Sequence, residues 1–311
     1  MNSVDNDDRF LHISIDDLRE KKYSIQTLLD YDVIIFGWNT IPISKYYTTK
    51  YNYYSKKYTN LETKEMITEL VEPLYVHKRR YYIVQDLHEF DCLNGMTGLS
   101  QYLTEKKFSG IISPYKYASE IHKFKNMEVL HLPHHIDENK FKNFNLQKEY
   151  DIFIFGNTHK QFYPFRHRLS ILLKEIAKKH DLKVVHWEEG IGKNYFKFNQ
   201  KISNENLSKA INKSWLTLCT KSKYNFLLGK YFETSFSNSV IVGDMTQDGK
   251  EIWGNNFIEL ENTMSDIQIE EIVVESLKNK ESLQMYSNEC LKIMEKYYLS
   301  NYTNNLYNIL V

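Results

Sequence analysis

What this chain of 311 residues lacks narrows it first. Its three cysteines, Cys92, Cys219 and Cys290, lie far apart with no CxxC spacing, and so read as free thiols in a reducing compartment. Neither charge is in excess, because 40 Lys plus Arg balance 40 Asp plus Glu. That balance argues against a protein whose main task is gripping nucleic-acid backbone or anionic membrane. No apolar run approaches the roughly 18–20 residues of a membrane span, which leaves peripheral association as the open membrane contact. The opening Met1-Asn-Ser-Val-Asp-Asn-Asp-Asp has neither a basic nor an apolar region, so no secretory leader is expected. The expected location is the cytoplasm. There is no internal repeat of the solenoid kind, no GxGxxG and no GxxxxGK[ST].

What is abundant is Tyr (24 of 311), with Asn, Lys and Ile. All four have AT-rich codons, which points to an AT-rich organism or a large DNA virus, and in the viral case to the host cytoplasm.

Short runs of β-branched and aromatic residues alternate with helix-length amphipathic stretches. In the first half the expected strands are Phe10–Ile15, Asp32–Phe36, Tyr81–Gln85, Gly110–Ser113 and Val129–Leu132. Between them Asp17–Leu29, Glu62–His77 and Tyr115–Phe124 have helical apolar spacing. The pattern restarts with strand Asp151–Phe155 and helix Arg166–Lys179, then Lys183–Trp187, helix Asn204–Asn212, Trp215–Cys219, helix Leu228–Ser235, Ser239–Gly243 and Phe257–Glu259. Helices Ser265–Lys278 and Glu281–Tyr298 close the chain. This is the signature of α/β architecture, here two doubly wound Rossmann-like domains with a cleft between their carboxyl edges. Asp137–Glu149, polar and without a convincing strand, reads as the linker. The expected domains are 1–145, 146–290 and 291–311, the last a terminal helix returning toward the first.

Ligands of open α/β sheets bind at the carboxyl ends of the strands, so the loops after strands carry the chemistry. After Asp151–Phe155 comes Gly156-Asn157-Thr158-His159-Lys160, leading to Arg166. A glycine for close approach and positive charge near a helix N-terminus suit a diphosphate. An ordinary strand-to-helix turn with solvated basic residues stays open. After Trp215–Cys219 come Ser222, Lys223 and Asn225, then Lys230 and Glu233 on a helix. A carboxylate at Glu233 can accept two hydrogen bonds from ribose hydroxyls; a Lys230–Glu233 surface pair is the plainer alternative.

Together, "YDIFIFGN…FYPFRHRL", "SWLTLCTKSKYNFLLGKYFETSFSNSVIVGDM" and "NNFIELEN…SDIQIEEI" resemble the C-terminal half of GT-B glycosyltransferases of the group 1 type, including the spore-maturation-protein-like subgroup. "VLHLPHHIDENKF" is similar to the superfamily's linker entry, and "YYLSNYTNNLYNIL" to its terminal helix. The resemblance implies transfer of a sugar from a nucleotide-diphospho-sugar, a UDP-sugar in expectation, to a glycan or other hydroxyl acceptor. It makes 1–145 the acceptor-binding domain and 146–290 the nucleotide-sugar-binding one. It implies retention of configuration and no required metal or other cofactor. It also implies that Glu233 holds the donor ribose and that Gly156, Arg166, Ser222 and Lys223 meet the diphosphate. The family's E-x7-E motif begins with a glutamate where this chain has Asn225, a departure at the position that touches the donor sugar. A UDP-sugar 2-epimerase of the same fold and a non-catalytic nucleotide-sugar or glycan-binding protein are the alternatives.

In the first half, Asp86 and His88 follow a strand and are candidates to orient the acceptor hydroxyl or take its proton; a helix N-cap at Asp86 is the plainer reading. The stretch from Lys45 to Tyr58 interleaves tyrosines with lysines and has no acidic residue, which suits stacking on an acceptor sugar better than nucleic acid in a neutral chain; a tyrosine-rich surface loop or helix set by composition is the plainer alternative. His134 and His135 lack a third ligand at suitable spacing for zinc, and Asp5-Asn6-Asp7 precedes any strand and is assigned no role.

Overall fold

The computed structural model describes residues 7–37, 69–84, 96–117, 124, 127–187 and 203–311. They form two compact units: Met1–Pro133 with Thr303–Val311, and His134–Tyr302. Among the described residues no helix is long and apolar enough to cross a membrane.

The first unit is built on a parallel sheet of β1 (Ile34–Phe36), β2 (Arg80–Ile83), β3 (Gly110–Ser113) and β4 (Glu128–His131), in the order β1-β2-β3-β4. Phe10–Ile15 is not the expected strand. Ser14 closes a capping box with Asp17 and starts a short helix, α1 (Ile15–Arg19), instead. The single helix expected over Asp17–Leu29 is likewise two: Lys21 takes a left-handed φ of 55°, and Ser24 caps α2 (Ile25–Leu29). The next helix is α3 (Met96–Glu105). Buried Arg80 fastens the end of α3 by donating to the carbonyls of Lys106 and Lys107 at 2.5 and 2.6 Å.

The second unit holds a five-stranded parallel sheet of β5 (Tyr150–Phe155), β6 (Val184–Trp187), β7 (Ser214–Leu218), β8 (Val240–Gly243) and β9 (Ile258–Glu259). Their order is β6-β5-β7-β8-β9, so the winding reverses between β5 and β7. Side chains of β5 alternate. Ile152 and Ile154 join the core under α4 (Pro164–His180) and α8 (Asp266–Lys278), while Phe153 and Phe155 pack against Ala210 and Ile211 of α5 (Asn204–Asn212). On that second face lie also α6 (Gly229–Phe236) and α9 (Lys280–Met294), closing over fully buried Trp253 of α7 (Gln247–Trp253). The helix expected over Glu281–Tyr298 ends at Met294, and a 3-10 turn covers Glu295–Tyr297.

The division falls at 133/134 rather than near 145. The polar stretch that reads as a linker is fastened to the second unit throughout. The Ile136 amide donates to the Tyr297 carbonyl at 3.0 Å, Phe141 lies in the core, and the amides of Lys142 and Leu146 donate to Ser208 and Asn212 at 3.2 and 2.9 Å. The last helix, α10 (Tyr302–Leu310), runs into the first unit. There Arg79 donates to the Leu310 carbonyl at 2.5 Å and Arg9 to Asn304 at 2.6 Å.

Candidate functional site

At the reversal between β5 and β7 the connections from the two strands lead to helices on opposite faces of the sheet, α4 and α6, and the crevice at the strands' carboxyl ends is where open α/β sheets take ligands. β5 ends at Gly156, whose φ of +78° suits a residue without a Cβ. A Cβ added there would lie 3.8 Å from Lys230 Nζ and 3.9 Å from Arg166 Nη1, so two cations converge over one glycine.

Both cations are held from below. Arg166 is 3% exposed; its Nε donates to Thr220 Oγ1 at 3.1 Å, Nη2 to the Thr220 carbonyl at 2.7 Å and Nη1 to the Asn157 carbonyl at 3.0 Å. Its guanidinium lies 4.1 Å over the Tyr163 ring. Burial pushes its pKa down, yet an arginine stays charged throughout the working range. Lys230 is 8% exposed and donates to the Phe155 carbonyl at 2.7 Å, with its ammonium 4.0 Å from the Phe155 ring centre. It is therefore not a solvated surface lysine. Buried charges of one sign held on carbonyls and ring faces form a seat for an anion.

The two loops are joined edge to edge. Asn157 Oδ1 accepts the His159 amide at 2.7 Å, and His159 Nδ1 accepts the Gln161 amide at 3.3 Å, so His159 builds the turn. Lys160 is exposed at its tip. The Lys223 amide donates to the Phe162 carbonyl at 2.9 Å, and its exposed ammonium lies 5.5 Å from the Phe162 ring and 4.6 Å from the Tyr224 ring. Buried Ser222 spends its hydroxyl accepting the Tyr224 amide at 3.3 Å, and its carbonyl accepts the Asn225 amide at 3.0 Å. Asn225 sits at φ +61°, a left-handed conformation that asparagine tolerates far better than glutamate. Glu233 is half-buried on α6, one turn beyond Lys230. Asp86 and His88 lie outside the described residues.

The structure thus unites Gly156, Asn157, Arg166 and Lys230 around one point and ties Lys223 to the same loop pair, while Lys160 stays at the exposed turn. Sequence reasoning missed Thr220, Tyr231 and Asp244. The signal for Asp244 was present, since it follows an apolar strand directly, as Gly156 does. Asp244 is 9% exposed, its Oδ1 accepts the Lys221 amide at 3.0 Å, and its carbonyl accepts the Tyr231 hydroxyl at 2.7 Å. Burial raises its pKa to about 6, against the lowering pull of the Lys221 amide and the Lys221 and Arg166 charges. The native state keeps a proton between pH 4 and 6 that the unfolded chain has already released. Stability conferred by this group therefore falls as pH rises through that window, by about 3 kcal/mol in all. His134 is placed beside α6, its Nδ1 4.0 Å from where a Gly229 Cβ would lie and its ring 5.8 Å from that of Phe232. Among the described residues no group of three or more His, Cys, Asp or Glu is placed to hold a metal ion.

Gly156→Ala tests the convergence. The added methyl meets both cations at ordinary contact distance, so the strain is that of the backbone, about 1 kcal/mol. The variant is expected to fold and melt a few degrees lower, and to lose the stabilisation that pyrophosphate gives the wild type in the same melt. Equal stabilisation of the two proteins would mean that no anion sits over Gly156.

No protein-family model matches the chain, and no curated protein matches it. Solved structures do. HepE of Anabaena in complex with UDP is similar with a TM-score of 0.56 at 11% identity, over 92% of this chain and 80% of that one. TarM, known from S. aureus, gives 0.55 at 15% identity over 77% of this chain and 52% of its own. Sucrose-phosphate synthase from Thermosynechococcus elongatus gives 0.53 at 10% identity, over 79% and 71%. The chain spans about half the length of the TarM structures. With its two parallel-sheet units and its last helix returned to the first, this chain has the GT-B fold of those glycosyltransferases.

Proposed function

We propose that this protein is a glycosyltransferase that takes its sugar from a nucleotide-diphospho-sugar, a UDP-sugar above others. The observation that carries the reading is the pair of buried cations, Arg166 and Lys230, meeting over Gly156 at the strand-order reversal. A diphosphate there faces two fixed positive charges, the exposed Lys223 ammonium and the first amides of α6, whose N-cap Leu228 offers no side chain to satisfy them. When the sugar–oxygen bond breaks, negative charge grows on the leaving diphosphate, and preorganised cations lower the barrier by meeting it without reorganising. These side chains supply the charge that a divalent ion supplies elsewhere, so the reaction is proposed to need no metal. Glu233, one turn beyond Lys230, is assigned the donor ribose. Asp86 or His88 is assigned the acceptor hydroxyl, a glycan or smaller alcohol. HepE, similar in fold, was solved with UDP, with UDP and glucose, and with UDP-glucose.

Thermal unfolding against UDP, GDP, ADP and their sugars tests the donor site. A ligand at 100 times its dissociation constant adds roughly 2.7 kcal/mol. One nucleoside diphosphate and its sugars are expected to raise the melting temperature, and Lys230→Gln, which keeps a donor for the Phe155 carbonyl, is expected to abolish the rise. No shift with any nucleotide at millimolar concentration would overturn the reading. Nucleoside diphosphate released from the preferred donor only when an acceptor is added would separate transfer from epimerisation and from mere binding.

A further inference from the structure

Arg166 and Asp244 grip neighbouring residues of one loop with opposite charges. The guanidinium holds Thr220 through its carbonyl and hydroxyl, and the Asp244 carboxylate holds the Lys221 amide. The next two residues are Ser222 and Lys223, so this double grip sets where the loop carries its own cation. Gly243, at the end of β8, brings Asp244 in closely, since a Cβ there would stand 1.9 Å from the Cys219 carbonyl oxygen. A buried carboxylate is an odd neighbour for an anion seat, because its charge subtracts from the cations that make the seat.

We propose that Asp244 is a positioning residue that fixes the β7–α6 loop and, by opposing Arg166, holds down the affinity of the site for diphosphate. This deepens the donor-site reading and rests on it. The opposition has a use in a transfer reaction. Breaking the sugar–oxygen bond leaves both electrons on the diphosphate, which departs one negative charge richer than it was in the donor. A fixed negative charge beside the seat weakens the product more than the donor, and so speeds release, a step that limits many transferases.

The charged and titratable groups around Asp244 come from each element packed on it. Arg166 stands on α4, Lys221 and Cys219 on the segment leaving β7, and Tyr231 on α6; Asp248 of α7 acts on Tyr231 in turn. Burial brings the Asp244 carboxyl to about 6, so it is ionised at pH 7.5 and largely neutral at pH 5.

Asp244→Asn is the test, because the amide oxygen still accepts from Lys221 while the charge is gone. Titration calorimetry on the full chain would compare UDP-glucose, which has no group titrating between pH 5 and 8, with UDP at pH 8. The expected variant binds UDP-glucose about tenfold tighter than the wild type at pH 7.5, gains more for UDP, and melts no lower. From pH 5 to 7.5 the wild type is expected to lose more affinity for UDP-glucose than the variant does; histidines are common to both, so the difference isolates Asp244. Equal or weaker binding by the variant would overturn the inference and leave Asp244 a structural acceptor. Failure of both proteins to bind either nucleotide would overturn the donor-site reading and this inference with it.

Discussion

Gly243→Ala is expected to leave the second unit unable to fold. A Cβ at this residue would lie 1.9 Å from the Cys219 carbonyl oxygen and 2.9 Å from the Cys219 carbonyl carbon, and both are backbone atoms. Neither strand can step aside. The Cys219 amide donates to the Val242 carbonyl at 3.0 Å and the Leu260 amide to the Gly243 carbonyl at 2.9 Å, so moving Gly243 breaks the ladder on both sides. The φ of +145° adds strain that any residue with a Cβ would bear. Overpacking costs about 1–3 kcal/mol where side chains can give, and more where only backbone is available. With the ladder bonds lost as well, the total exceeds about 5 kcal/mol, comparable to the whole stability of an ordinary domain. Circular dichroism melts would show the cooperative transition of the second unit absent, or the variant recovered only from inclusion bodies. A soluble variant melting within 3 °C of the wild type would refute the geometry. Gly110 stands in the same relation to the Glu128 carbonyl oxygen, 2.2 Å from its added Cβ, so each unit has a strand glycine that only hydrogen fits.

Strands buried on both faces were the most legible part of the chain. Tyr150–Phe155 and Val240–Gly243 are apolar runs that stand out without reference to anything distant, and the structure places both near their expected bounds. Phe10–Ile15 failed because its alternation of apolar residues says strand while the Ser14–Asp17 pair says helix start, and two hydrogen bonds of a capping box outweigh an alternation with no partner strand. The linker expected over Asp137–Glu149 failed for another reason. Its asparagines and lysines make it look solvated, but its backbone amides at Lys142 and Leu146 donate to Ser208 and Asn212 of a helix 66 residues away, and no local pattern reveals that. In the candidate site, the nearness of Gly156 and Arg166 was legible from their places after a strand and in the first turn of the helix that follows it. The seating of Arg166 on Thr220 was not, because it depends on the first turn of α4 meeting the loop after β7, 54 residues on, at the strand-order reversal.

Arg166→Met is expected to destabilise the second unit by about 3 kcal/mol and to abolish nucleotide binding, and Arg166→Lys is expected to rescue neither in full. Three donors of the guanidinium are committed to Thr220 Oγ1, the Thr220 carbonyl and the Asn157 carbonyl. Hydrogen bonds from a charged donor are worth about 1.5–3 kcal/mol each, and here they share one side chain and do not add. Relief from holding a charge in a buried place offsets part of the loss. What remains is the buried Thr220 carbonyl and the half-buried Asn157 carbonyl without their donor, and two loops without their tie, a drop of about 6–12 °C for a unit of this size. Lysine keeps the charge but has no planar fork, so it can reach one carbonyl at a time and cannot span from the β5 loop to the β7 loop. The comparison separates charge from geometry. If Arg166→Lys binds nucleotide within threefold of the wild type, the site needs only positive potential over Gly156. A large loss with lysine, while Lys223 and Lys230 remain in place, means that the seat exists only when one rigid cation holds both loops at once.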